Sequence, residues 1–171
     1  MEIPHKYVEI PFKWQTIATF SGRITQMEIL IENESEYDLM LDSEYFYTGE
    51  RFESTFGKTM KPGSSCLTLA TNKIPSIYWG VTGGLKYRIK GKDICLYLGF
   101  ASPFLLSTRC YVCLTCDDHT AKWAWKQGID SDGVSKSVSS EDCRVIAHLT
   151  DGRYCAYKRV VFRIEKNNTS N

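Results

Sequence analysis

Along much of this 171-residue chain, hydrophobic side chains recur at every second position, the period of a half-buried strand. Met27, Ile29 and Ile31 alternate with polar neighbours. Leu39 and Leu41 do the same ahead of the aromatic run Tyr45-Phe46-Tyr47, and Leu85, Tyr87 and Ile89 alternate with basic residues. Arg109 to Asp117 reads as another strand. Turn signals punctuate these runs. Lys61-Pro62-Gly63-Ser64 precedes CLTLA, Lys90-Gly91-Lys92-Asp93 separates residues 78–90 from 94–100, and Asp151-Gly152 suits a tight hairpin between Arg144–Thr150 and Tyr154–Ile164. Short strands at this spacing predict a mainly β fold, a sandwich or a barrel.

Helical signals are few. Phe12, Ile17 and Phe20 are expected to line one face of a short helix that would start after Pro11 and end at Gly22. Residues 119–130 hold a second short helix or a loop, and the polar residues 130–142 read as an exposed loop. The expected organisation is an N-terminal segment (1–22), one domain (23–166) and a polar tail (167–171), a length suited to a single core.

Charge and cysteine content narrow the function classes. A net charge of +1 is too balanced for a nucleic-acid surface. No run approaches the ~20 apolar residues of a membrane-spanning helix, and the first residues lack the basic start and apolar core of a signal peptide. Seven cysteines, an odd number, are not a disulfide framework and fit reduced thiols in a reducing compartment. Three fall in CYVCLTC, where a strand sends Cys110 and Cys116 to one face and Cys113 to the other. Ligands on opposite faces do not converge on a metal, and no second Cys-x-x-Cys exists, so no metal or other cofactor is expected. The histidines are His5, His119 and His148, and His148 is expected on a hairpin face. No nucleophile motif or phosphate loop accompanies them, so an enzyme is not expected. Asn33-Glu34-Ser35 and two overlapping triplets at 167–170 match the glycosylation acceptor pattern.

Aromatic residues are more informative: ten Tyr, eight Phe and four Trp. Trp123 and Trp125 flank one alanine between Lys122 and Lys126. Two readings stay open. Trp and Lys together suit a membrane interface, and a strand would place both Trp on one face against a core.

Longer stretches carry a family resemblance. RITQMEILIENES (Arg23–Ser35), EYFYTG (Glu44–Gly49), KPGSSCLTLATNK (Lys61–Lys73), WGVTGGLKYRIKGKDICLYLGFASPF (Trp79–Phe104) and the final hairpin Arg144–Ile164 follow one another in the order and spacing of a known family. In these the chain resembles the actinoporins and their actinoporin-like relatives, which are pore-forming cytolysins. The resemblance implies a single β-sandwich flanked by one or two short helices. It implies a protein that is monomeric in solution, binds phosphocholine-headed lipid, above all sphingomyelin, and forms homo-oligomers on membranes. It also implies secretion and action at a target membrane. Carried over position by position, the headgroup candidates are Thr48, Val81, Thr82, Ala101, Ser102, Pro103 and Tyr111. The membrane-interface candidates are Trp123, Trp125, Lys122 and Lys126. Phe12, Trp14, Ile17 and Phe20 are the candidates for an inserting N-terminal helix, with Pro4 and Pro11 set against a long one. The family's Tyr-rich helix, an aromatic cage for a quaternary ammonium, corresponds to KWAWKQGIDSDG, which has two Trp and no Tyr. The alternative is a non-lytic module that binds lipid or glycan on the same fold, as in the related fungal fruit-body lectins.

Overall fold

The computed structural model describes residues 26–53, 56, 58–71, 80–102, 107–131, 135–151 and 157–167. The N-terminal segment with its expected helix therefore lies outside the described residues. The described residues form two sheets. One has six strands in the order β3 (Glu50–Glu53), β5 (Ser64–Thr71), β1 (Gln26–Glu34), β11 (Tyr157–Lys166), β10 (Cys143–Asp151) and β9 (Ser135–Ser139). The other has five, in the order β4 (Thr59–Met60), β2 (Leu39–Thr48), β6 (Val81–Ile89), β7 (Cys95–Ser102) and β8 (Arg109–Thr115). Among the described residues, the helix α1 (Ala121–Asp130) lies on the five-stranded sheet. The mainly β sandwich expected from the sequence is the fold observed.

The period-two residues explain the core. Met27, Ile29 and Ile31 of β1 have no exposed surface, and they meet Val160, Phe162, Val145 and Ala147 of the same sheet and Leu85, Tyr87, Leu98 and Phe100 of the other. The opposite face of β1 is charged. Glu28 pairs with Arg159, and Glu32 bonds Arg163 at 2.9 Å, each across the parallel ladder between β1 and β11. A buried Asn33 ties down the β1–β2 turn. Its amide donates to the carbonyls of Tyr37 (2.8 Å) and Met60 (3.0 Å), and its oxygen accepts from the Ser35 hydroxyl at 2.6 Å. That burial withholds the Asn33 acceptor triplet from glycosylation in the folded protein. Gly63, at φ +74°, completes the expected turn, with the Ser64 N–H donating to the Lys61 carbonyl.

Strands β6 and β7 are buried on both faces, which is where the glycines fall. Gly83 faces the core, where a Cβ would lie 2.7 Å from the Phe100 ring. Gly84 faces the helix, opposite Gly99 in the ladder. A Cβ on Gly84 would lie 2.6 Å from the Trp125 backbone nitrogen and closer still to the Ala121 carbonyl, and one on Gly99 would overlap the Ala124 carbonyl. The helix answers with its own small residues, Ala121, Ala124 and Gly128, all buried. Helix and sheet therefore meet backbone to backbone.

Three expectations are corrected. Residues 130–142 are not simply a loop, because Ser135–Ser139 is the strand β9, paired antiparallel with β10. Its Ser-rich composition suits an edge strand. Asp151-Gly152 does not form a two-residue hairpin: Asp151 pairs with Lys158, so the connection is longer. Cys116 lies past the end of β8 and is exposed, so it does not share a face with buried Cys110, while Cys113 on β8 is half-buried. His148 stands in mid-ladder opposite Val161, as expected of a hairpin face.

Gly84→Ala and Gly99→Ala should each cost about 1–3 kcal/mol in urea denaturation through overpacking; an unchanged midpoint would mean that the helix can move off the sheet freely. Inside the sandwich, the hydroxyls of Thr68 and Tyr87 are buried with no hydrogen-bond partner among the described residues. Burial, with Cys66 and Glu44 nearby, pushes the Tyr87 hydroxyl far up. Thr68→Val removes one such group at nearly constant volume and should raise stability by about 1 kcal/mol, whereas a loss of stability would reveal a partner for that hydroxyl.

Candidate functional site

The helix decides where the two tryptophans go. Thr120 caps it, its hydroxyl accepting from the Trp123 N–H at 3.1 Å. At the other end Arg109 donates to the Ile129 carbonyl at 2.6 Å. Two positions apart on a helix are separated by about 200°. Trp123 and Trp125 therefore leave on opposite flanks of the small-residue stripe, and the strand reading that puts both on one face is overturned.

On one flank, Trp125 meets β2. Its indole N–H donates to the Thr82 hydroxyl at 3.1 Å, and that oxygen lies 3.1 Å from the Thr48 hydroxyl. Tyr47 stacks on Trp125 with centroids 4.6 Å apart and planes at 26°. Tyr45 stands 5.4 Å away at 56°, and the Lys122 nitrogen lies 5.7 Å from the Tyr45 centroid. A β-bulge makes this grouping possible. The β2–β6 register shifts between Phe46 and Thr48, so Tyr47 and Thr48 both reach the helix side while Phe46 turns inward onto Phe100. Tyr47 remains 51% exposed, the most exposed large hydrophobic side chain among the described residues.

On the other flank, Trp123 is enclosed. His119 stacks on it at 4.0 Å, and Tyr97 and Tyr111 present edges at 5.4 and 5.8 Å. The Tyr97 hydroxyl accepts from the His119 N–H at 2.8 Å and donates to the Asp117 carbonyl at 3.0 Å. Burial, then the neighbouring Cys113 thiol, pushes the Tyr111 hydroxyl up to about 12. Over the Tyr97 ring, 6.0 Å from its centroid, a buried Lys86 joins Asp118, just ahead of the helix, at 2.5 Å and Asp42 of β2 at 3.2 Å. The hydrogen bond from Lys86 holds the Asp118 carboxyl below its usual range. Burial alone would raise Asp42, but hydrogen bonds from Arg88 and Lys86 hold it low as well.

The structure thus gathers Thr48, Thr82, Trp125 and Lys122 into one cluster. Tyr111 sits on the far flank with Trp123. Val81 points into the core with no exposed surface, because it lies one residue out of phase with Thr82; it is removed from the headgroup candidates. Ala101, paired with Thr82, is 2% exposed, and Ser102 turns its hydroxyl to Thr108 at 3.3 Å. Lys126 is exposed on the helix. Pro103, Phe12, Trp14, Ile17 and Phe20 lie outside the described residues. Tyr45 and Tyr47 were not among the sequence candidates. Their alternation around Phe46 was the available signal, although the bulge that turns Thr48 to the same face carries none. Among the described residues no cluster of three or more His, Cys, Asp or Glu could hold a metal, and no helix is long and apolar enough to cross a membrane.

The clamp around Lys86 gives a pH prediction. Carboxylates with lowered folded pKa contribute stability above the unfolded value, near 4, and lose it as pH falls through the folded value. Thermal stability should hold steady against this term from pH 7 to about 4 and fall below it. Lys86→Met should lower stability at pH 7 and flatten the fall below pH 4, as followed by circular dichroism; an unaltered acid limb would show that the clamp is not the titrating element.

No protein-family model matches the chain, and no curated protein matches its sequence. Among solved structures the fold is similar to the crystal structure of the lipid binding protein Nakanori, with a TM-score of 0.74 at 13% sequence identity, covering 91% of this chain and 78% of that one.

Proposed function

We propose that this protein binds membrane lipid through a choline-phosphate headgroup, at the cluster of Tyr45, Tyr47, Trp125, Thr48, Thr82 and Lys122. The observation that carries the reading is the Trp125 flank itself. It combines electron-rich ring faces for a quaternary ammonium with a lysine and the hydroxyl of half-buried Thr48, both suited to phosphate oxygens, while Thr82, 4% exposed, holds the Trp125 indole in place. The exposed Tyr47 ring supplies apolar surface of the kind that seats at a membrane interface. Likeness of fold to a protein named as lipid binding supports the same reading. On this reading sphingomyelin is the preferred lipid. Copies assemble on the membrane into a pore, and Phe12, Trp14, Ile17 and Phe20 belong to the inserting element. The stacked Tyr47–Trp125 pair also suits the apolar face of a sugar ring, which makes a glycan the competing ligand.

Vesicle sedimentation and dye release test the reading in separable steps. The protein should sediment with sphingomyelin or phosphatidylcholine vesicles, and free phosphocholine should compete. Trp125→Ala and Tyr47→Ala should each weaken binding about tenfold or more, as expected of central aromatic anchors. Trp123→Ala should mainly lower stability. Deleting residues 1–22 should abolish release and spare binding. Absence of sedimentation with either choline-headed vesicle would refute lipid binding, and binding without release by the full chain would leave a non-lytic module.

A further inference from the structure

Among the exposed lysines, Lys61, Lys90 and Lys92 each pair with a carboxylate, and Lys92 also stands over the Tyr37 ring, 5.2 Å from its centroid. Lys122 is on the first turn of α1, and its partner among the described residues is a ring: its nitrogen stands over Tyr45. Tyr45 and Trp125 meet at 56°, so the two faces make a corner rather than a flat wall. A corner of two electron-rich faces is where a quaternary ammonium binds best. The chain has put its own cation there.

We propose that Lys122 is a built-in competitor for the ammonium half of the headgroup and a partner for its phosphate half, so that the site accepts zwitterionic choline phosphate and rejects a bare quaternary ammonium. The inference rests on the headgroup reading above and adds a specificity-determining residue to it. A bare cation entering the corner must displace the Lys122 ammonium from Tyr45 or share the space with a like charge. Both are unfavourable. Choline phosphate changes the balance. Its phosphate offers the lysine a stronger, charge-assisted partner than a ring face, and the flexible four-carbon stem lets the ammonium swing to it. Tyr45 is then vacated for the trimethylammonium group, and the charges alternate: lysine, phosphate, ammonium.

The test titrates tetramethylammonium and phosphocholine separately into the wild-type protein and Lys122→Gln. Binding is followed on the indole N–H resonance of Trp125, assigned by its loss in Trp125→Phe. Glutamine keeps helix propensity and removes only the charge. Tetramethylammonium should bind roughly two- to fivefold more tightly to K122Q, the equivalent of one exposed cation–ring contact, and phosphocholine more weakly by a similar factor. Lys90→Gln, which removes a charge on the β6–β7 turn, should change neither ratio. If K122Q shifts the two ligands in parallel, or shifts neither, the Lys122 assignment is wrong while lipid binding stands. If the wild type binds neither phosphocholine nor choline-headed vesicles, the headgroup reading fails and the inference with it.

Discussion

The contact on which the candidate site depends is backbone against backbone, between α1 and the paired glycines Gly84 and Gly99. Glycine in a strand weakens it locally, because a side chain that could pack is missing. Here the loss is offset by a helix that settles into the gap, with Ala121, Ala124 and Gly128 as its underside. The close approach fixes more than height. It sets the rotation of the helix, since only one stripe is small enough to fit, and that rotation sends Trp125 to β2 and Trp123 to β8. Bulkier residues at 84 or 99 would lift the helix and pull the indole away from the Thr82 hydroxyl.

The two flanks then differ in what surrounds each tryptophan. Trp123 has its ring stacked by His119 and edged by two tyrosines, one of which, Tyr97, neighbours a buried lysine held by two carboxylates. This flank anchors the start of the helix. Trp125 is bonded through its nitrogen, with its ring against a largely exposed tyrosine. One side is built to hold and the other to present, although the sequence Lys-Trp-Ala-Trp-Lys is nearly symmetric.

Much of the fold was legible because strand burial writes itself as alternation. Met27, Ile29 and Ile31, or Leu85, Tyr87 and Ile89, declare their inward face without any structure. What was not legible depended on partners remote in sequence. Ser135–Ser139 has little to bury and becomes a strand only because β10 offers it a ladder. The helix over KWAWK, left open against a strand, is decided by the glycines at 84 and 99, on strands well before it in the chain. Thr48, Thr82, Trp125 and Lys122 could be nominated from position in a resembling pattern, whereas Tyr45 and Tyr47, which alternation alone puts on one face, are joined there by Thr48 only because of the bulge in β2. Val81 was misassigned for the opposite reason: a one-residue phase error, harmless in a loop, exchanges inside for outside in a strand.

The parallel pairing of the first described strand with the last has a consequence for synthesis. β1 lies between β5 and β11, and Glu28 reaches Arg159 across 131 positions of chain. While the polypeptide is still emerging from the ribosome, β1 can pair with β5 on one side only. Its other edge, including the carboxylate of Glu28, waits until β11 is released. Such long-range pairing folds slowly, and an unpaired edge invites pairing with the wrong chain. The like charges of Glu28 and Glu32, on the face away from the core, give that waiting edge some protection, so the same ladder that closes the finished sheet also guards its unfinished form.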